Sequence, residues 1–222
     1  MSERVPFHEL ATAAYCPRKL YYRRLDAEYD LPEIVGRTRE LAGAYDALLV
    51  GDLHESLADA LVVDPDVACD GIRHAFERWP GLRDPVERDV VVTGRDCRGR
   101  VSKVVETDEG LVPTFVSPGT PAERGVWKPQ RVRATAAAKA LSWREGVRID
   151  RALVEYPRHG VVRRVRVTAH RSAEYRRTLR AVRELDGPPP RLRNSSKCDP
   201  CEERDRCGVR TRSLASLLGV GR

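Results

Sequence analysis

The stretch Arg100-Val101-Ser102-Lys103-Val104-Val105-Glu106-Thr107-Asp108-Glu109-Gly110-Leu111-Val112-Pro113-Thr114-Phe115-Val116-Ser117 reads as two strands around a turn. β-Branched residues fill Arg100–Thr107 and Leu111–Ser117, and Asp108-Glu109-Gly110 between them is hairpin chemistry. Upstream, Val86–Thr93 predicts another strand, followed by a turn over Gly94–Gly99. Downstream, Gly119–Gly125 reads as a loop, and Pro129 opens an alanine-rich helix over Gln130–Glu145. Proline suits a first helical turn because its missing N–H has no intrahelical partner there anyway. Asp150–Tyr156 and Val161–Thr168 predict two further strands joined by Pro157-Arg158-His159-Gly160. Strands on both sides of a helix give an α/β domain with a mixed sheet.

The flanks read as helical. Residues 7–24 carry Ala11, Ala14, Leu20 and Tyr21 at helical spacing, broken at Cys16-Pro17. Residues 34–62 predict one or two helices, and Asp70–Trp79 a short helix or loop. Ser172–Leu185 is amphipathic, with Tyr175, Leu179, Val182 and Leu185 on one face and Arg176, Arg177, Arg180 and Arg183 on the other. Trp127 and Trp143 flank the alanine-rich helix and are assigned to core packing, with stacking on a base as the alternative.

Composition narrows the function. The 222 residues are 41% hydrophobic and 33% charged, enough for one globular domain, here taken as 1–222, with a real core. The longest apolar runs, Ala47–Val50 and Ala60–Val63, exclude a membrane-spanning helix. Met1-Ser2-Glu3-Arg4 opens no apolar run with a cleavage site, so a cytoplasmic protein without membrane contact is expected. The net charge of +7 is carried mostly by arginine, which makes nucleic acid the first partner to test.

Cysteine usage is more specific. Of the 6 cysteines, three fall in Cys198-Asp199-Pro200-Cys201-Glu202-Glu203-Arg204-Asp205-Arg206-Cys207. A cytoplasmic chain does not ordinarily spend such a run on disulfides, and the short spacing lets three thiolates converge on one metal centre. Cys16, followed by Pro17 and set beside Tyr15, Tyr21 and Tyr22, is the candidate fourth ligand. Spacing leaves zinc and an iron–sulfur cluster both open, since each takes four thiolates. Cys69 and Cys97 read as ordinary buried or incidental thiols.

The Tyr15-Cys16-Pro17-Arg18-Lys19-Leu20-Tyr21-Tyr22 start, the Gly51-x-x-His54 step, the 100–117 hairpin, the alanine-rich helix, Pro189-Pro190 and the final cysteine trio occur in one order. That order resembles the CRISPR-associated RecB-like exonucleases of the PD-(D/E)XK nuclease superfamily, from about Phe7 to Cys207. The resemblance implies a restriction-endonuclease-like core with N-terminal helices and a C-terminal cysteine knuckle. It further implies a [4Fe–4S] cluster on Cys16, Cys198, Cys201 and Cys207, in a lobe built from 7–24 and 190–210, with zinc as the alternative. Such a cluster would clip the chain ends together and close a long loop.

The same resemblance implies a nuclease centre, and here the sequence departs from it. Nucleases of this kind hold Mg²⁺ or Mn²⁺ on carboxylates, because hard cations need oxygen ligands. The expected histidine is present as His54, but the aspartate position holds Ser102 and the Glu-x-Lys pair is Phe115 and Ser117. The glutamine position holds Arg133, with Ala137 one turn on. Residues two apart on a strand share a face, so Phe115 and Ser117 should look into the same cleft. A phenyl ring cannot bind Mg²⁺. Arg100 and Arg133 are expected to meet phosphate where the metals would have been. Arg163, Arg164 and Arg166, with the arginine face of 172–185, form a second basic region for backbone contact without sequence readout.

The expectation is therefore a DNA-binding iron–sulfur protein without nuclease activity, acting in CRISPR adaptation or DNA processing. Its partners would be single-stranded or overhanging DNA and CRISPR integrase proteins. Two other readings stand beside it. One is an active Mg²⁺- or Mn²⁺-dependent single-stranded DNA exonuclease with displaced carboxylates, for which Glu87, Asp89 and Glu106 are the nearby acids. The other is a zinc-stapled nucleic-acid-binding protein unrelated to CRISPR.

Overall fold

The computed structural model describes residues 3–26, 31–192 and 196–208. Residues 193–195 and 209–210 of the expected cysteine lobe lie outside the described residues. The hairpin is present as β3 (Cys97–Thr107) and β4 (Gly110–Val116), antiparallel with Lys103 opposite Thr114. β2 (Glu87–Thr93) pairs β3 antiparallel, and a two-residue β1 (Val5–Pro6), too short for a sequence signal, pairs its start in parallel. α7 (Lys128–Glu145) carries the chain over to β5 (Arg151–Tyr156), which lies parallel to β4. β6 (Val161–Arg166) returns antiparallel as the far edge. The sheet is mixed and helices cover it, so the domain is α/β.

Each face of the sheet has its own helices. On one side, α1 (Phe7–Tyr15), α7 and α8 (Ala169–Arg183) enclose a core that includes Leu10, Leu141, Tyr175 and Leu179 against Val104, Phe115 and Val154. The alanines of α7 explain how close this packing is. Ala134, Ala136, Ala137, Ala138 and Ala140 are buried, and a Cβ on Gly94 of the β2–β3 turn would come within 2.6 Å of the Ala140 Cα. On the other side lie α3 (Glu33–Gly43), α4 (Tyr45–Val50) and α6 (Pro65–Arg78), packing Tyr45, Leu48, Ile72 and Ala75 toward Val105, Val112, Val116 and Leu153.

Three sequence readings need correction. The 34–62 region is three short helices, α3, α4 and α5 (Glu55–Ala58), because the chain breaks at Ala44 and again after Gly51, which has φ 74. α6 starts at Pro65 rather than Asp70, since the Asp64 carboxylate caps the helix by accepting the Asp66 N–H. Trp127 and Trp143 are not core residues. They are 55% and 58% exposed, because the face of α7 that meets the sheet is taken by alanine and leaves no room for indole.

Strand alternation slips once. Val101 and Val104 both belong to the core under α1 and α7, although they are three apart. The slip lies opposite Asp89, which falls between the pairs Arg88–Lys103 and Val90–Val101 and has φ 51. That is the left-handed region, which aspartate tolerates better than most residues. After the slip, Phe115 faces α7 while Lys103 and Thr114 face α3 and α4.

Candidate metal centre and cationic cleft

Two segments from opposite ends of the chain form the first site. α1 ends at Tyr15, Cys16 is the extended link, and Pro17 opens α2 (Pro17–Leu25). The C-terminal segment meets this corner with a short turn at Ser196–Cys198 and with α9 (Arg204–Cys207). Cys16, Cys198, Cys201 and Cys207 line one cavity, together with Tyr15, Arg18, Lys19, Tyr22, Lys197 and Arg204. All four are free thiols. Among the described residues, no group of three or more His, Cys, Asp or Glu side chains is arranged to hold a metal ion.

Polar contacts hold the two segments together. The Tyr15 hydroxyl donates to the Lys197 carbonyl at 2.6 Å, and Arg18 to the Pro189 carbonyl at 2.7 Å. Glu202 accepts from Lys19 and Arg23, each at 2.9 Å, and Arg206 pairs with Asp26 at 2.9 Å. The sulfurs influence one another. Burial, and then the charges of Cys16, Cys201 and Cys207, push the Cys198 thiol up. Burial raises the Tyr15 phenol as well, helped by Cys201, Cys198 and Cys16. Burial works against the Arg18 guanidinium, but the Tyr22 hydroxyl and the Cys207 sulfur more than offset it and raise its pKa. The lining cations sit where negative charge on four thiolates would need balancing.

The second site lies on the α7 face of the sheet. The Arg133 guanidinium stacks over the Phe115 ring, 4.5 Å from its centroid. One helical turn before it, Gln130 reaches the Ser117 hydroxyl at 3.4 Å. Phe115 and Ser117 therefore do share a face, as the period of two requires. The Ser102 hydroxyl accepts the Val116 N–H at 3.1 Å, so it serves the backbone. Burial, with the charge of Arg39, lowers the Arg133 pKa to about 10, still cationic at neutral pH. His8 adds a third basic group to this region. Burial lowers its pKa, Glu9 opposes that, and Arg133 and Arg23 add to it.

Other expected residues do not join this cleft. His54 caps α5: its Nδ1 accepts the Ser56 N–H at 3.3 Å, and the ring is exposed. Arg100 is exposed and donates to the Asp89 carbonyl at 2.5 Å. Glu87 is engaged by Arg144, Glu109 by Arg151, and Glu106 is exposed. Arg164 and Arg166 occupy β6 on the side away from the buried Val165, as alternation predicts. Burial and the nearby Arg166 and Arg78 lower the Arg164 pKa. Cys97 is a buried thiol contacted by the Tyr175 hydroxyl at 3.2 Å, and Cys69 donates to the Leu48 carbonyl.

One carboxylate near the cleft escaped the sequence reading. Glu155 accepts from Lys103 at 2.7 Å and from the Thr114 hydroxyl at 2.5 Å, fully buried on the opposite face of the sheet. Its signal was available: a lone acid inside the apolar run Ala152–Tyr156 must be buried with a partner. His8 and Arg39 were also missed, because each lies far from Arg133 in sequence and carries no motif. No family model matches the chain, and no curated protein matches it.

Proposed function

We propose that the protein is a DNA-binding iron–sulfur protein built on a PD-(D/E)XK-like core and lacking metal-dependent cleavage. It would act in CRISPR adaptation or DNA processing, as the resemblance implies. The observation that carries the reading is the cavity lined by Cys16 from one end of the chain and Cys198, Cys201 and Cys207 from the other. Four free thiols are a soft donor set suited to a thiolate-held cluster. A single zinc ion would draw all four sulfurs to about 2.3 Å from one point. A four-iron cluster spans a wider space, so the two fillings require different spacing between the same four sulfurs. Bound there, the cluster would supply a cross-link between the chain ends, and any electron transfer would be separate from hydrolysis.

The absence of cleavage is supported by chemistry at the cleft. Phe115, Ser117 and Ser102 offer no carboxylate, and Glu155 is committed to Lys103 across the sheet. Exposed Arg166 on β6 and the exposed arginines of α8 give the molecule a surface for phosphate backbones.

The test is anaerobic purification with iron, sulfide and zinc analysis. Iron and sulfide in equal amounts, with broad visible absorbance that Cys201→Ser removes, support the reading. Stoichiometric zinc with no absorbance points to the zinc-stapled alternative. Digestion of single-stranded DNA that depends on Mn²⁺ and is lost in His54→Ala overturns the non-nuclease assignment.

A further inference from the structure

The far end of α7 borders a cavity that neither the cysteine centre nor the Arg133 cleft uses. It holds about 420 Å³ and lies between the second half of α7, the β2–β3 turn, the loop before β5 and the first turns of α8. Ligand sites ordinarily enclose about 300–1,000 Å³. Lys139 and Trp143 line it from α7. They are four residues apart in the helix, so they lie on one face, a single turn from each other. The Trp143 indole is 58% exposed, and its N–H makes no hydrogen bond among the described residues. Lys139 is half-buried, with its Nζ 5.9 Å from the ring centroid of the buried Tyr175, which also lines the cavity. No carboxylate lies within ion-pair reach of Lys139 among the described residues. The acids in the wall, Asp96 and Asp150, are already engaged. Asp96 accepts from Arg95 at 3.3 Å and from Arg183 at 3.2 Å. Asp150 accepts from Arg151 at 3.0 Å, and Arg148 stands 3.9 Å from its other oxygen. Since Arg183 and Arg151 hold these acids from outside the wall, the wall's own cations, Arg95, Lys139 and Arg148, are in surplus.

An open indole and an unbalanced ammonium, one turn apart in the wall of a cavity, are the two groups a nucleotide requires. The base needs a flat apolar surface and the phosphate needs a cation. We propose that this cavity binds one unpaired nucleotide of a nucleic-acid strand, with its base stacked on Trp143 and a phosphate oxygen on Lys139 Nζ. A strand fits better than a free nucleotide because the cations continue past the cavity. The Arg148 side chain is 86% exposed, and α8, which supplies Tyr175 to the wall, carries Arg176, Arg177 and Arg180 exposed to solvent. One phosphate does not call for that much charge, whereas the phosphates flanking a bound nucleotide do. Stacking on Trp143 reads no sequence, since every base has a π-face. The site deepens the DNA-binding reading and rests on it for the choice of a strand.

The experiment titrates the full chain with a short single-stranded oligonucleotide and, separately, with deoxyadenosine monophosphate, following tryptophan fluorescence. The oligonucleotide should quench the emission. Trp143→Ala changes an exposed side chain, so it should fold, and it should remove that quench and weaken binding by about 5–150-fold. Trp143→Phe keeps an aromatic face, so it should retain most of the affinity while losing the quench. Lys139→Gln should weaken binding and reduce the slope of log K against log salt by about 0.7. Trp127→Phe alters an indole that is as exposed but lies outside the cavity, and it should leave quench and affinity unchanged. Oligonucleotide binding that Trp143→Ala does not weaken overturns the site and leaves the DNA reading intact. A Trp143-dependent quench by the monophosphate without any binding of the oligonucleotide overturns the strand assignment, and the DNA reading with it, while a nucleotide site remains. No quench by either ligand overturns the site.

Discussion

Lys103 Nζ lies 2.7 Å from Glu155 Oε2, and both side chains are sealed between the sheet and α3–α4. The pair is fully dressed. Lys103 also donates to the Ala42 carbonyl at 3.3 Å and stands 4.7 Å from the Tyr45 ring centroid, while Thr114 donates to the second Glu155 oxygen. A satisfied buried pair is costly to break from one side and cheap to replace whole. Glu155→Gln should therefore destabilise the fold by about 3–5 kcal/mol, whereas Lys103→Met combined with Glu155→Leu should stay within about 1–2 kcal/mol of wild type. Chemical denaturation of the single and double variants measures both. If Glu155 were instead a metal ligand of a working nuclease, Mn²⁺ would stabilise the wild type and not Glu155→Gln, which is the result this arrangement argues against.

A second charged pair sets the acid limit of stability. Arg131 of α7 holds both oxygens of Glu174 of α8, at 2.8 and 3.0 Å. The Arg131 hydrogen bond lowers the Glu174 pKa below its ordinary value of 4.5, against the opposing effect of burial. A depressed carboxylate pKa stabilises the fold above the unfolded value, and that contribution fades as pH falls through the folded value. Stability from this pair should thus be full at neutral pH and fade below pH 4.5. Because Arg131 is partly solvent-exposed, its size should be about 1 kcal/mol. Glu174→Gln should lower the neutral-pH Tm and flatten the acid limb; an unchanged limb would show that another carboxylate governs it.

Secondary structure was legible wherever a period persisted. The strands from Glu87 to Arg166 and the helices α1, α2, α7 and α8 follow from alternation, helical spacing and the breaks at Cys16-Pro17 and Pro129. The short helices between Glu33 and Ala58 were less legible, because each is too brief for a period to separate it from its neighbour. The slip opposite Asp89 is a single backbone torsion and leaves no compositional trace. In the site, proximity of the cysteine segments could be anticipated because thiol spacing is itself chemistry. The electrostatic influence of Arg39 on Arg133 and of Arg133 on His8 could not, since lone basic residues on separate helices look like ordinary surface charge. Trp127 and Trp143 misled because indole size suggests burial, while the alanines of α7 had already filled the inner face.

The packing of α6 on the turn before β6 gives a sharp steric expectation. A Cβ at Gly71 would stand 2.0 Å from the Gly160 carbonyl oxygen, and Gly160 itself has φ 62 with Ala68 backbone 2.6 Å from its own missing Cβ. Both partners are backbone, so neither can swing aside. Gly71→Ala should therefore cost more than about 2 kcal/mol, in the range of overpacked sites. Gly36, in the interior of α3, has open space where a Cβ would stand, with nothing within 4 Å. Gly36→Ala should stabilise by about 0.5–1 kcal/mol through helix propensity. Equal effects from the two substitutions in urea unfolding would mean that α6 and the turn do not meet this closely.

The β6 arginines make the last expectation, and its sign comes from how they are unbalanced. Arg164 and Arg166 lie on one side of an edge strand, and Arg151 on the neighbouring strand feels both. Burial first, then their mutual repulsion, lowers the pKa of Arg151 and of Arg164. Like charges held together without enough acid are stabilised by any polyanion that lies across them. Each phosphate neutralised on single-stranded DNA releases counterions and adds about 0.7 to the slope of log K against log salt. Arg164→Ala with Arg166→Ala should weaken single-stranded DNA binding regardless of sequence and reduce that slope by about 1.4. Fold stability should hold or rise slightly, because repulsion is relieved. Fluorescence anisotropy over a salt series, paired with thermal unfolding, measures the two together. An unchanged slope would remove β6 from the DNA path and leave the cleft at Arg133 and the outer face of α8 as the surfaces in contact.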